Sequence, residues 1–271
     1  MRIALAQITS SPDPGANLKT VEEITARAAD DGARLVVFPE ATMCRFGSSL
    51  ARIAEPIDGP WADGVRRIAA QTQITVVAGM FCPSGDGRVT NTLVATGPDT
   101  DTHYDKIHLY DAFGFLESRT VAPGYQPVTI NVDDVVVGLT TCYDIRFPEL
   151  YVDLAQRGAQ LITVSASWGS GPGKLEQWTL LTRARALDTA AFVAACDQAY
   201  PGDEIAATGP TGVGGSVVAG PYGDVVAAAG PDAQLLCCDV DVDNVAKAQD
   251  TLAVLRNRSP FAQLDKAELR E

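Results

Sequence analysis

Histidine is scarce: His103 and His108 are the only two in 271 residues. The six cysteines, at positions 44, 82, 142, 196, 237 and 238, never take a CxxC spacing, so a structural zinc site has too few ligands and no metal is expected. Disulfides are equally disfavoured in a reducing compartment, which leaves the thiols free. Basic residues are outnumbered, 21 Lys and Arg against 34 Asp and Glu, and the net charge of −13 repels phosphate backbones and anionic lipid. Neither nucleic acid nor a membrane is expected as a partner. No apolar run approaches the roughly 18 residues of a membrane span. The opening "MRIALAQITSSPDPG" carries one basic residue and a short alternating strand instead of a signal peptide's longer apolar stretch, so the protein reads as cytoplasmic. There is no G-x-S-x-G elbow, and "GSGPGKL" is no P-loop because Leu175 stands where Ser or Thr is required. Serine hydrolase and nucleotide-binding readings lose their motifs, and no cofactor is called for.

What is present is ordinary globular composition, 46% apolar and 20% charged. No Ser/Gly linker or charge block divides the chain, so residues 1–271 are read as one domain, with about 257–271 a charged C-terminal tail able to act as a dimer arm. "RIALAQI", a helix-period stretch "NLKTVEEITARAADDG" with Asn17 as its expected cap, and "RLVVFPE" form a βαβ opening. The rhythm returns in "WADGVRRIAAQTQ" before "ITVVAGMF", and in "FPELYVDLAQRG" before "AQLITVSAS". Hairpin signals lie in "CPSGDGRVTNTLVATGPDTDTHYDKIH" and around the Pro-Tyr-Gly-Asp turn of "VVAGPYGDVVAAAG". Apolar strands covered on both sides, combined with hairpins, call for an α/β architecture of two mixed sheets between outer helices.

"VVVGLTTCYDIRFPELY" runs a β-branched strand into Cys142 and then into an expected helix start at Pro148 and Glu149. At the carboxyl end of a strand such a turn lifts its side chain into a ligand crevice. A helix N-terminus there lowers a thiol pKa from about 8.5 and holds an oxyanion. A cysteine nucleophile needs a base; His108 in "YDKIHLYD" is one candidate, though a hydrogen-bonded structural imidazole is the plainer reading. "RLVVFPEAT" puts Glu40 at a comparable strand end, and Lys106 follows a third strand-like stretch.

Together "FPEAT", "YDKIHLYD" and "TTCYDIRFPELY" resemble the three signature segments of the nitrilase superfamily, in the family's order and over nearly the whole chain. "FGFLESRTVAPG" resembles its second glutamate region, with Glu117 at the matching position. The resemblance implies a four-layer αββα sandwich, commonly paired as a homodimer, and a Glu-Lys-Cys triad. In it Glu40 takes the thiol proton, Cys142 attacks an amide carbonyl, Lys106 and the Tyr143 N–H hold the oxyanion, and Glu117 orients Lys106 or the substrate. A thioester forms and ammonia leaves. "CYDIRFPEL" is similar to the branch of omega-amidases and deaminated glutathione amidases, which act on amides of small carboxylate-bearing acids. Arg146 also matches a carboxylate-binding arginine of N-carbamoyl amino acid amidohydrolases. A nitrilase proper is disfavoured, since Tyr143 stands where that branch carries Trp. Trp168, in "SASWGSG", falls where the family's pocket wall lies. Arg146 has a plainer reading too, an ion pair with Glu149 or Asp144, and a non-catalytic binding member is disfavoured by the intact triad.

Overall fold

The computed structural model describes residues 1–206 and 209–259. The chain begins β1 (Arg2–Gln7), α1 (Pro14–Asp30), β2 (Leu35–Val37), α2 (Leu50–Ile53) and α3 (Pro60–Thr72). A meander follows: β3 (Thr75–Pro83), β4 (Val89–Gly97), β5 (Thr100–Asp105) and the short β6 (Val121–Ala122). Next come β7 (Val128–Val132), β8 (Val135–Thr141), α4 (Pro148–Gln156), β9 (Leu161–Ala166), α5 (Lys174–Thr189) and β10 (Phe192–Asp197). The described chain closes with α6 (Asp203–Ala206), β11 (Val217–Ala219), β12 (Val225–Ala228), β13 (Gln234–Asp239) and α7 (Asp243–Leu252).

Two mixed sheets result. One has the order β13-β1-β2-β3-β4-β5, with β6 beside β4; the other has the order β12-β11-β10-β9-β8-β7. Each is built around three parallel strands, β1-β2-β3 and β10-β9-β8, flanked by antiparallel neighbours. The period-two alternation of a strand explains the layering. In β1, Ile3 and Leu5 point to the core between the sheets, whereas Ala4 and Ala6 point to the layer under α1 and α3. In β10, Phe192, Ala194 and Cys196 face inward while Val193 and Ala195 meet the layer with α4 and α5. The expected αββα sandwich is what these residues build.

One local expectation is corrected. Asn17 does not cap α1: Pro14 fits the helix's first turn, so Asp13 before it caps, its Oδ1 accepting from Gly15 N at 2.8 Å and Ala16 N at 3.3 Å. Asn17 is buried and bonds Ser11 and Met43 instead. The helix start expected at Pro148 and Glu149 is where the structure has it. A 3₁₀ turn, Cys142–Arg146, comes before it. Most of the tail assigned to about 257–271 lies outside the described residues. No helix among the described residues is long and apolar enough to cross a membrane.

Candidate active site

The site gathers at strand ends. After β2 the chain continues Phe38-Pro39-Glu40 and is turned by Ala41 at φ 59°. Gly79 of β3 permits that turn: a Cβ there would lie 2.7 Å from Ala41 N and 2.8 Å from Pro39 O. Lys106 directly follows β5, with its main-chain N–H donating to the Asn91 carbonyl at 2.9 Å. Glu117 opens a one-turn 3₁₀ segment, Glu117–Arg119. Cys142 directly follows β8 at φ 46°, a left-handed conformation that a non-glycine residue holds only under constraint.

Much of that constraint comes from Asp144, which is fully buried. Its Oδ2 accepts from Thr141 N at 2.9 Å and Tyr104 OH at 2.7 Å. Its Oδ1 takes His108 N at 2.9 Å and the His108 ring at 2.8 Å. The nucleophile turn is thereby clamped to the segment that carries Lys106. His108 is stacked on Phe147 at 3.7 Å and lies outside the pocket, so the structural reading of this histidine is the one realised.

At the floor of the pocket Lys106 Nζ lies 2.9 Å from Glu40 Oε1 and 2.9 and 3.1 Å from the two oxygens of Glu117. Glu40 also accepts from Asn91 Nδ2 at 2.7 Å and from Ser167 N at 3.0 Å. Glu117 Oε2 takes the Tyr110 N–H at 2.6 Å. Burial, opposed by Lys106 and reinforced by Glu117, raises the Glu40 carboxyl above its ordinary range. Burial alone would favour neutral Lys106, but the charges of Glu117 and Glu40 outweigh it and hold the ammonium firmly protonated. The Cys142 thiol is pushed well up, first by burial and then by Glu40, with Lys106 opposing. This corrects the expectation of a thiol acidified by the helix that starts at Pro148: burial and Glu40 outweigh it, and the resting thiol is neutral beside its carboxylate.

Around this floor the walls are Phe46, Tyr110, Phe115, Tyr143, Trp168 and Pro210, with Arg146 and Lys174 as further cations. Trp168 is buried, with its N–H donating to Asp197 Oδ1 at 2.7 Å and its indole N–H to Lys174 O at 3.0 Å. Arg146 pairs with neither Glu149 nor Asp144, since the Asp144 oxygens are already occupied. Its guanidinium lies 5.0 Å over the Trp168 ring and donates to Gln177 Oε1 at 3.0 Å, while its Nε is buried without a partner.

The sequence profile of the carbon-nitrogen hydrolases matches residues 2–250. The chain belongs to that family. Over their full lengths it is 66% identical to the hydrolase Rv0480c of Mycobacterium tuberculosis. It is 32% identical to the deaminated glutathione amidase of Escherichia coli, covering 95% of this chain and 97% of that protein. It is 31% identical to human omega-amidase NIT2, covering 95% and 94%. Among solved structures, Nit3 of Saccharomyces cerevisiae, a nitrilase-superfamily member, superposes with a TM-score of 0.81 at 26% identity over 93% of each chain. A Glu-to-Gln variant of the amidase from Nesterenkonia sp. AN1, carrying acrylamide added to its active-site cysteine, does so at 0.76 with 27% identity, covering 93% of this chain and 98% of that one.

In this carbon-nitrogen hydrolase Glu40, Lys106, Glu117, Cys142, Tyr143, Arg146 and Trp168, the seven residues that the family resemblance assigns to the site, line one pocket, and His108 does not. The sequence reading missed Asn91, Asp144, Ser167, Lys174 and Asp197. Asn91 alone had a usable signal, an amide in the middle of the otherwise apolar or hydroxyl-bearing strand "VTNTLVATG". All six cysteines are free, and among the described residues no three His, Cys, Asp or Glu side chains group as metal ligands do.

Proposed function

We propose that the protein hydrolyses the primary amide of a small carboxylate-bearing acid, releasing ammonia through a thioester on Cys142. The observation that carries this reading is one pocket with two poles: a buried Glu40–Lys106–Glu117 cluster beside the thiol, and an Arg146 guanidinium with no carboxylate partner among the described residues.

Glu40 takes the thiol proton as Cys142 Sγ bonds the amide carbon, and the carbonyl oxygen becomes an oxyanion. The Tyr143 N–H, at the start of a 3₁₀ turn where main-chain donors lack an intra-turn partner, and the Lys106 ammonium receive it. Lys106 already spends its three donors on carboxylates, so its longest contact, 3.1 Å to Glu117, is the one that yields. Glu40 returns the proton to nitrogen, the C–N bond breaks, and ammonia leaves. Water then adds to the thioester with Glu40 as base, and the thiol is restored. Arg146 presents parallel donors suited to the substrate's carboxylate.

Hydrolysis of N-carbamoyl amino acids would use the same arginine. A screen for ammonia release across ω-amides, carbamoyl acids and nitriles decides between these substrates; turnover of none of the three classes refutes the proposal. We also propose that two copies pair, supported by exposed Leu180, Leu187, Tyr222, Val225 and Val226. Light scattering at the mass of one chain would refute that pairing.

A further inference from the structure

Arg146 is not the sole cation at the tail pole. Lys174, the first residue of α5, lines the same pocket, and its ammonium rests 4.0 Å over the Phe113 ring. Like Arg146 it has no ion-pair partner among the described residues, although the protein as a whole carries a net charge of −13. Both side chains are braced on one frame: Trp168 carries the guanidinium on its face and bonds the Lys174 carbonyl through its indole N–H, and Gln177, one turn along α5, takes the guanidinium N–H. The placement is unfavourable in the free protein. Two like charges share a partly dry wall, and one of them stands at a helix N-terminus, whose dipole repels a cation. Burial and the Arg146 charge accordingly pull the Lys174 ammonium below its ordinary value. An anion bound there would offset both the repulsion between the cations and the unfavourable helix dipole. With the neutral amide of the proposed substrate at the floor, the local charge to be matched is that of two cations.

Building on the amidase reading above, we propose that the tail pole is a two-point anion receptor, Arg146 for one carboxylate and Lys174 for a second. The substrate is then the amide of an acid with two carboxylates on its acyl side. Lys174 is thus a specificity-determining residue, the group that separates a dianionic acyl tail from a monoanionic one.

The test uses a matched pair, glutaric acid monoamide and the terminal monoamide of tricarballylic acid, which differ by one carboxylate, with valeramide as the uncharged reference. The wild-type enzyme is expected to prefer the tricarballylic amide in kcat/KM by about tenfold or more, and Lys174→Met to erase that preference, chiefly through KM. Lys174→Arg should restore much of it, and Lys247→Met, on the exposed face of α7, controls for net charge. Calorimetry of tricarballylate against glutarate on Cys142→Ala gives the same comparison without turnover. Equal losses on both amides in Lys174→Met, or no wild-type preference for the second carboxylate, would overturn the receptor while leaving the amidase reading standing. A wild-type preference for valeramide over both acids would overturn the two together.

Discussion

The side-chain amide of Asn91 donates to Glu40 Oε1 at 2.7 Å, and the same nitrogen lies 3.2 Å from Glu117 Oε1. Its Oδ1 is buried without a partner. Turning the amide over would set that oxygen against two carboxylates, so the donor orientation is dictated by charge. Because its carbonyl also receives the Lys106 N–H, Asn91 touches every member of the charged cluster. A donor to a carboxylate favours the charged form, which Glu40 needs to act as base. Removing it in Asn91→Ala should raise the Glu40 pKa further and move the acid limb of kcat/KM to higher pH. A charge-assisted hydrogen bond worth about 1.5–3 kcal/mol corresponds to a shift of roughly one to two pH units. A pH–rate profile checks it; an unmoved acid limb with lowered kcat would reduce Asn91 to packing.

Since the resting thiol is neutral, its reactivity should depend on Glu40 and not on an intrinsically low pKa. Iodoacetamide, itself a small primary amide, is expected to label Cys142 ahead of the other five cysteines, of which Cys82 and Cys238 are pushed up to about 11 by burial. In Glu40→Gln the labelling of Cys142 should slow by about tenfold or more, as loss of a general base does. Denaturing mass spectrometry locates the adduct, and with substrate the same variant should accumulate the thioester. Equal labelling rates with and without Glu40, or an acyl adduct on another cysteine, would remove the proposed base–nucleophile pairing.

Glu40, Lys106, Glu117 and Cys142 were legible because each sits just past a strand or turn in a motif of contiguous residues. Asn91 showed only as an amide within a strand, with nothing to say what it bonds, and Asp144 showed no signal. Their partners lie 36 to 51 residues away for Glu40, Tyr104 and His108, and only strand register brings them together. The layers followed from apolar strands that need cover on both faces, as Ile3 and Leu5 find in the core and Ala4 and Ala6 find under the helices. The start of α4 at Pro148 was legible from the proline, whereas the 3₁₀ turn before it was not, because it depends on Asp144 bonding back to Thr141 and across to Tyr104 and His108. Lys174 stood in a glycine-rich run whose path no local pattern specifies.

Asp144 receives the Thr141 and His108 main-chain N–H groups and the Tyr104 hydroxyl from inside the core. Asp144→Ala leaves these donors without acceptors, at about 1–3 kcal/mol for each one that stays buried and unsatisfied. Urea unfolding should show a loss of several kcal/mol, and kcat should fall more than KM rises because the Cys142 turn loses its clamp. Wild-type stability with wild-type kcat would mean that the turn holds its left-handed residue unaided.

Arg146 lies at the end of the 3₁₀ turn that Cys142 begins, with its guanidinium on Trp168 and a buried Nε that has no partner among the described residues. If it takes the substrate carboxylate, the contact is made equally before and during reaction, so its loss raises KM and leaves kcat nearly unchanged. Truncating a desolvated charge pair costs about 2–5 kcal/mol. Lysine is a poor replacement, because an ammonium offers a point charge where a carboxylate needs two parallel donors. Arg146→Ala and Arg146→Lys should therefore both lose heavily on succinic acid monoamide and little on butyramide, which has a methyl group in place of the carboxylate. Steady-state kinetics on the two amides, with melting temperatures for each variant, separates the possibilities. Equal losses on both substrates with a lowered melting temperature would make Arg146 a brace between Trp168 and α5, and the carboxylate would have to be bound elsewhere.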